Sequence, residues 1–86
     1  MDLPKNNQEF YQRLDRVTER LNELGMHKEG KRIYHLLHEM VWTTSSELLP
    51  AIETYLRSLI SSDAAAEMPQ DLKEELIGYV TMLEKI

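Results

Sequence analysis

Apolar side chains recur at helical spacing along most of the chain, and the densest apolar run extends from Ile33 to Trp42. At about 100° per residue, six of its side chains fall on one arc of roughly 160°. They are Ile33, Tyr34, Leu36, Leu37, Met40 and Val41, with Ile33 and Leu37 near the centre of the arc. One neighbouring helix cannot cover so wide an arc, so the pattern predicts a helix over 29–43 that contacts at least two others.

Three further segments carry apolar stripes and predict helices over 7–24, 46–62 and 70–86. The first and the last have the alternating +4 and +3 spacing of a coiled-coil seam, which one partner helix can cover. Their side chains are Phe10, Leu14, Val17, Leu21 and Leu24 in the first, and Leu72, Leu76, Tyr79, Leu83 and Ile86 in the last. The segment 46–62 presents a wider face, made of Leu48, Leu49, Ile52, Leu56, Leu59 and Ile60.

Local signals mark the ends of the first two helices. Asn6 followed by Glu9 resembles a capping box, in which the Asn side chain accepts a hydrogen bond from an N–H group of the first turn. Gly25 predicts the end of the first helix, because glycine readily adopts the left-handed conformation common there. Gly30 costs roughly 1 kcal/mol relative to alanine inside a helix, so an ordered start only after Gly30 is expected as an alternative to the start at 29.

The segment 43–50 leaves two interpretations of the middle of the chain open. Thr44 with Glu47 forms a second capping-box pattern, which begins a helix directly after the threonine. Pro50 opposes this start, because proline beyond the first turn removes an N–H group and clashes with an earlier carbonyl. Either the helix begins a turn later, or the second and third helices form one kinked rod. Four consecutive hydroxyl side chains favour a turn over 43–46.

Met68 and Pro69 force a boundary before the last helix, which Asp71 with Glu74 can cap. The links between helices are short, so helices adjacent in sequence are expected to be antiparallel. The sequence therefore predicts an all-α, antiparallel up-down four-helix bundle that forms a single domain over 1–86. Dimerisation is a further way for so small a domain to complete its core.

The composition is that of a soluble globular chain and not of a disordered one, with 42% apolar and 29% charged residues. The absence of cysteine excludes disulfides and cysteine-based zinc sites. No stretch approaches the roughly 18 consecutive apolar residues of a membrane span, and the first residues lack the layout of a signal peptide. We therefore expect a soluble, cytoplasmic protein without a membrane partner.

Charge is unevenly distributed along the chain. Residues 1–38 carry seven Lys or Arg and six Asp or Glu, a net of +1, whereas residues 39–86 carry three and nine, a net of −6. Six of the ten cations lie in one basic segment, Arg13–Arg32, and are Arg13, Arg16, Arg20, Lys28, Lys31 and Arg32. A transcription-linked regulator that contacts nucleic acid through this segment is thus an alternative function. The net charge of −5 opposes it, because phosphate binding depends on an excess of cations.

His35, His38 and Glu39 are the residues that suggest a metal site. His35 and Glu39 are neighbours at (i, i+4), but His38 lies about 60° to the other side of them on the helix. Their order also differs from the His-Glu-x-x-His of zinc proteases. No nucleophile elbow or glycine-rich phosphate loop is present elsewhere. We therefore expect no metal, no cofactor, no small-molecule ligand and no enzymatic activity.

Trp42, the only tryptophan, lies about 180° from Ile33 on the helical wheel, opposite the core arc. Lys31 and His38 flank it, and Tyr34 stands at the edge of the arc. A tryptophan that faces away from a core is typical of an interaction hot spot, although it can also fold over the neighbouring turn or pack on the last helix. We predict a small helical interaction module that binds a protein partner, or itself as a homodimer, through Lys31, Tyr34, His38 and Trp42.

The cap at Thr44 leads to a testable prediction. Thr44→Ala should lower the free energy of unfolding by about 0.5–2 kcal/mol, because N–H groups of the first turn lose their acceptor. Ser45→Ala should be near neutral in the same denaturation measurement. Equally slow amide exchange from Lys31 through Ile60 would show an unbroken helix and contradict the cap.

Overall fold

The computed structural model describes residues 3–39 and 45–85, and all regular structure in these ranges is helical. The helices are α1 (Asn7–Glu23), α2 (His27–Tyr34), α3 (Ser45–Ile60) and α4 (Gln70–Glu84). A π turn, His35–Glu39, continues α2, and a 3-10 turn, Asp63–Glu67, stands between α3 and α4. The all-α class and the order of the four predicted helices are thereby confirmed.

The described helices belong to two compact units. The first contains α1, α2 and the π turn, and the second contains α3, the 3-10 turn and α4. Within the first unit α1 packs against α2, and within the second α3 packs against α4. The single domain over 1–86 and its completion by a second chain stay predictions.

Both ends of α1 follow their sequence signals. The side chain of Asn6 accepts a hydrogen bond from the Glu9 N–H group at 2.8 Å, which confirms the N-cap. At the other end Gly25 has a φ of 81°, the left-handed conformation that glycine adopts at little cost. The N–H group of Met26 then donates to the Leu21 carbonyl at 2.8 Å, the long bond of a Schellman motif.

This turn decides which apolar side chains near it are buried. Leu24 is the C-cap residue and is 42% exposed, so its predicted place in the buried stripe is wrong. Met26 is only 4% exposed, because the residue after a C-terminal glycine commonly packs back onto the helix. A helical wheel cannot identify Met26, which precedes α2, but an apolar residue directly after Gly25 is itself a signal.

Gly30 marks the closest approach of α2 to α1. The helix begins at His27, so the expectation of order only after Gly30 is wrong. A Cβ atom on Gly30 would lie 2.7 Å from Asn22 Oδ1 and 3.1 Å from the Thr18 carbonyl oxygen. Thr18 is itself buried, and its hydroxyl donates to the Leu14 carbonyl at 3.1 Å. Glycine thus lowers helix propensity here but lets two backbones come together.

The contacts between α1 and α2 also give their relative direction. Gly30 lies against Thr18 and Asn22, whereas His38, farther along the chain, hydrogen-bonds to Asp15. The residue numbers of the contact partners in α1 therefore decrease as the residue numbers in α2 and the π turn increase. This first pair is antiparallel.

The π turn changes the arc that the sequence predicts. Leu36 is buried, at 6% exposure, whereas Leu37 is half-buried and Tyr34 is 48% exposed. A π turn joins residue i to i+5, so each residue advances by less than the 100° of an α-helix. The predicted places of Leu37 at the centre of the arc and of Tyr34 within it are therefore wrong.

Several predictions fall on residues 40–44, outside the described residues. They concern Met40, Val41, Trp42, the cap at Thr44 and the first half of the turn over 43–46, and the predicted place of Ile86 in the last stripe also lies outside the described residues. Ser45 and Ser46 already belong to α3, so the second half of the predicted turn is wrong. The helix that follows begins at Ser45 and contains Pro50, so the alternative start one turn later is wrong.

The second unit has its buried side chains on the predicted faces of α3 and α4. Those below 9% exposure are Leu48, Ile52, Leu56 and Leu59 in α3, and Leu72, Leu76, Tyr79, Val80 and Leu83 in α4. Leu49 and Ile60 are half-buried, so the face of α3 is narrower than predicted. Pro69 is the N-cap of α4, so the prediction that Asp71 caps this helix is wrong. Asp71 lies in the first turn, where its negative charge interacts favourably with the helix dipole.

Arg57 joins the ends of α3 and α4. It lies in the last turn of α3 and donates hydrogen bonds to Glu53 Oε2 at 3.1 Å and to Glu84, the last residue of α4. The hydrogen bond to Glu53, followed by the charges of both carboxylates, raises the pKa of Arg57. A tight antiparallel hairpin would place Glu84 beside the first turn of α3. The bond instead brings the two C-terminal ends together.

The π turn predicts that two adjacent leucines contribute differently to stability. Leu36→Ala should lower the free energy of unfolding by about 2–5 kcal/mol, because truncating a buried leucine leaves a cavity. Leu37→Ala is the matched control and should cost clearly less, since its side chain is half-buried. Chemical denaturation measures both. A larger loss for Leu37→Ala would restore the regular α-helical arc and contradict the π turn.

Candidate interaction site

Tyr34 and His38 form an aromatic pair on the surface of the first unit. Tyr34 directly precedes the π turn and His38 lies within it. The ring centroids are 4.7 Å apart and the ring planes are tilted by 46°. Tyr34 is 48% exposed and the side chain of His38 is 43% exposed. Tilted ring contacts at this distance are favourable, so each ring restricts the motion of the other while both stay accessible.

His38 is also held from α1. Its Nε2 atom lies 2.6 Å from Asp15 Oδ1, and because an ionised carboxylate only accepts, Nε2–H is the donor. Both side chains are more than one-third exposed, so solvent screening limits the contribution of the pair to stability to at most about 1 kcal/mol. Its main effect is positional, since it ties the π turn to α1 and fixes the imidazole that Tyr34 contacts.

The second acid–imidazole pair of the π turn is looser. His35 Nδ1 lies 3.7 Å from Glu39 Oε2, beyond hydrogen-bond distance. The three residues that suggested a metal site are therefore divided, since His38 pairs with Asp15 while His35 faces Glu39. Within 3–39 and 45–85, no three His, Asp or Glu side chains are arranged to hold a metal ion.

Three of the four predicted partner-binding residues lie on one surface. Lys31 is exposed and precedes Tyr34 by three residues, which makes the two neighbours on the helix. Tyr34 contacts His38, and Trp42 lies outside the described residues. Asp15 was not among the predicted residues, because it is 23 residues from His38 and no local spacing links the two. An antiparallel pairing of 7–24 with 29–43 would bring Asp15 near His38.

The basic segment Arg13–Arg32 is interrupted by acidic partners. Arg13 donates to Glu9 at 2.7 Å, and Asp15, within the segment, pairs with His38. Over residues 3–39 there are seven Lys or Arg and six Asp or Glu, a net of +1. Arg16, Lys28, Lys31 and Arg32 are exposed. The net charge of this region is nevertheless too small to supply the large excess of cations on which binding to nucleic acid, the alternative function, depends.

No protein-family model, curated protein or solved structure matches the chain. Among the helices of the described ranges, none combines the length and the apolar character that crossing a membrane requires.

Removal of the Asp15 carboxylate tests how this surface is held. Asp15→Ala should speed amide exchange in residues 35–39 while lowering the free energy of unfolding by no more than about 1 kcal/mol, because the pair is exposed. Asp15→Asn keeps an acceptor and should have a smaller effect. Unchanged exchange in the π turn, measured by NMR, would show that Asp15 does not position His38.

Proposed function

We propose that the protein is a small helical interaction module, which binds a protein partner or a second copy of itself through Lys31, Tyr34, His38 and Trp42. The observation that supports this most strongly is the exposed Tyr34–His38 pair, held in place by Asp15. Binding rather than catalysis, and a location in the cytoplasm, belong to the proposal as expectations from the sequence.

The fixed geometry of the pair favours binding for an entropic reason. Ordering a mobile side chain at an interface costs about 0.5–1.5 kcal/mol, and rings that are already held avoid part of this cost. Tyrosine and tryptophan are also the residues that most often dominate binding energy when a partner covers them. Lys31 adds a positive charge beside the rings, which selects partners with acidic groups at the rim.

The proposal predicts that association depends on the two large aromatic residues. Tyr34→Ala and Trp42→Ala should each raise the dissociation constant for self-association by about tenfold or more, the effect of losing a hot-spot side chain. Light scattering over a concentration series gives the mass, and circular dichroism checks that the helical content is unchanged.

Leu24→Ala is the matched control, because Leu24 is an exposed apolar residue of the same unit, at 42% exposure, away from Tyr34 and His38. It should associate like the wild type. If Tyr34→Ala and Trp42→Ala do so as well, this surface does not mediate self-association. If Trp42→Ala loses helicity together with association, Trp42 belongs to the core.

A further inference from the structure

A row of exposed side chains on α4 has the same spacing as the surface of α2 around Tyr34. On α2 and the π turn the row is His27, Lys31, Tyr34 and His38, which we call the α2 stripe. On α4 it is Gln70, Glu74, Ile77, Thr81 and Glu84, which we call the α4 stripe. Both repeat at +4, +3, +4, the spacing of a seam that one partner helix covers.

Each stripe has one large apolar side chain at its third position. Tyr34 is 48% exposed and Ile77 is 47% exposed, whereas most other large apolar residues of the described ranges are buried or half-buried. The Thr81 hydroxyl donates to the Ile77 carbonyl at 2.9 Å, so its polar group is satisfied within the helix and its methyl group can add to the apolar contact. The centre of the α4 stripe can therefore be covered without leaving a polar group unpaired.

The charges of the two stripes are opposite. The α2 stripe contains Lys31 and two histidines but no acidic residue, and the α4 stripe contains two glutamates but no cation. Glu74 accepts a hydrogen bond from the neutral amide of Gln70 at 3.3 Å. The charge of Glu84 is already matched by Arg57, which leaves Glu74 as the acidic group best placed to attract a cation.

The same charges oppose the pairing of like stripes when the two helices are parallel and in register. An α2 stripe against another α2 stripe then places Lys31 against Lys31, and an α4 stripe against another α4 stripe places Glu74 against Glu74, which is unfavourable in both cases. An α2 stripe against an α4 stripe has neither conflict. When the two run in the same direction, Lys31 faces Glu74 at the second position and Tyr34 meets Ile77 at the third.

We propose that the α2 stripe of one chain binds the α4 stripe of a second copy, with the two helices parallel. This inference rests on the proposed function and adds to it the partner, which is the same protein, and the partner's surface. The contact is head-to-tail, so each bound chain keeps one stripe accessible and association continues to rings or to longer assemblies.

Mixing two defective variants tests this arrangement. Tyr34→Ala disrupts the α2 stripe and Ile77→Ser disrupts the α4 stripe, and each alone should self-associate about tenfold or more weakly than the wild type. Mixed in equal amounts they should form a closed 1:1 dimer, because the intact α4 stripe of one meets the intact α2 stripe of the other. Sedimentation velocity distinguishes this dimer from monomers and from longer assemblies, with Leu24→Ala as the control that should behave like the wild type.

Charge exchange tests the parallel direction. Lys31→Glu and Glu74→Lys should each weaken association, and the double variant should recover it, because the two positions face each other only in the parallel arrangement. Failure of the double variant to recover, when the mixing experiment succeeds, would overturn the parallel direction.

The other outcomes separate this inference from the proposed function. If Tyr34→Ala weakens association while Ile77→Ser does not, the α4 stripe is not the partner surface and the inference fails, but binding through Tyr34 stands. If the mixture of the two variants stays monomeric, head-to-tail pairing is wrong. A wild type that is monomeric at every concentration would overturn the inference. The proposed function would then require a different protein as the partner.

Discussion

The first unit depends on the approach of two helix backbones at Gly30. A larger residue there would meet the Thr18 carbonyl, and overpacking of this kind typically costs about 1–3 kcal/mol. Glycine inside a helix costs roughly 1 kcal/mol relative to alanine. The overpacking that glycine avoids at this position is therefore at least as large as the helix propensity that it loses. The same packing of α2 against α1 accompanies a contact at the surface, where Asp15 of α1 lies 2.6 Å from His38.

The accessible aromatic pair therefore depends on both helices of the unit. The π turn supplies His38 and places it against Tyr34, while α1 supplies the carboxylate that holds it. The aromatic pair contributes little to stability because its members are exposed, whereas Ile33 and Leu36 of the same segment are buried. The buried side chains and the exposed rings thus lie on different faces of one short segment.

Helix ends and buried faces could be predicted from the sequence where their signal is local or periodic. Features that depend on a departure from regular helix geometry could not. The ends of α1 followed from Asn6 and Gly25, and the buried face of α4 followed from its spacing. The places of Leu36 and Leu37 did not, because nothing in a 100° wheel indicates that the helix widens into a π turn. Tyr34 and His38 of the candidate site are close in sequence and could be predicted, whereas Asp15 comes from another helix and could not.

The turn at Gly25 also has a consequence for how the protein folds. Only residues 24–26 separate α1 from α2, so little chain entropy is lost when the two helices meet. Contacts between segments that are near in sequence form faster than contacts between distant ones. The short link therefore favours early pairing of α1 with α2, the pairing that brings Asp15 to His38.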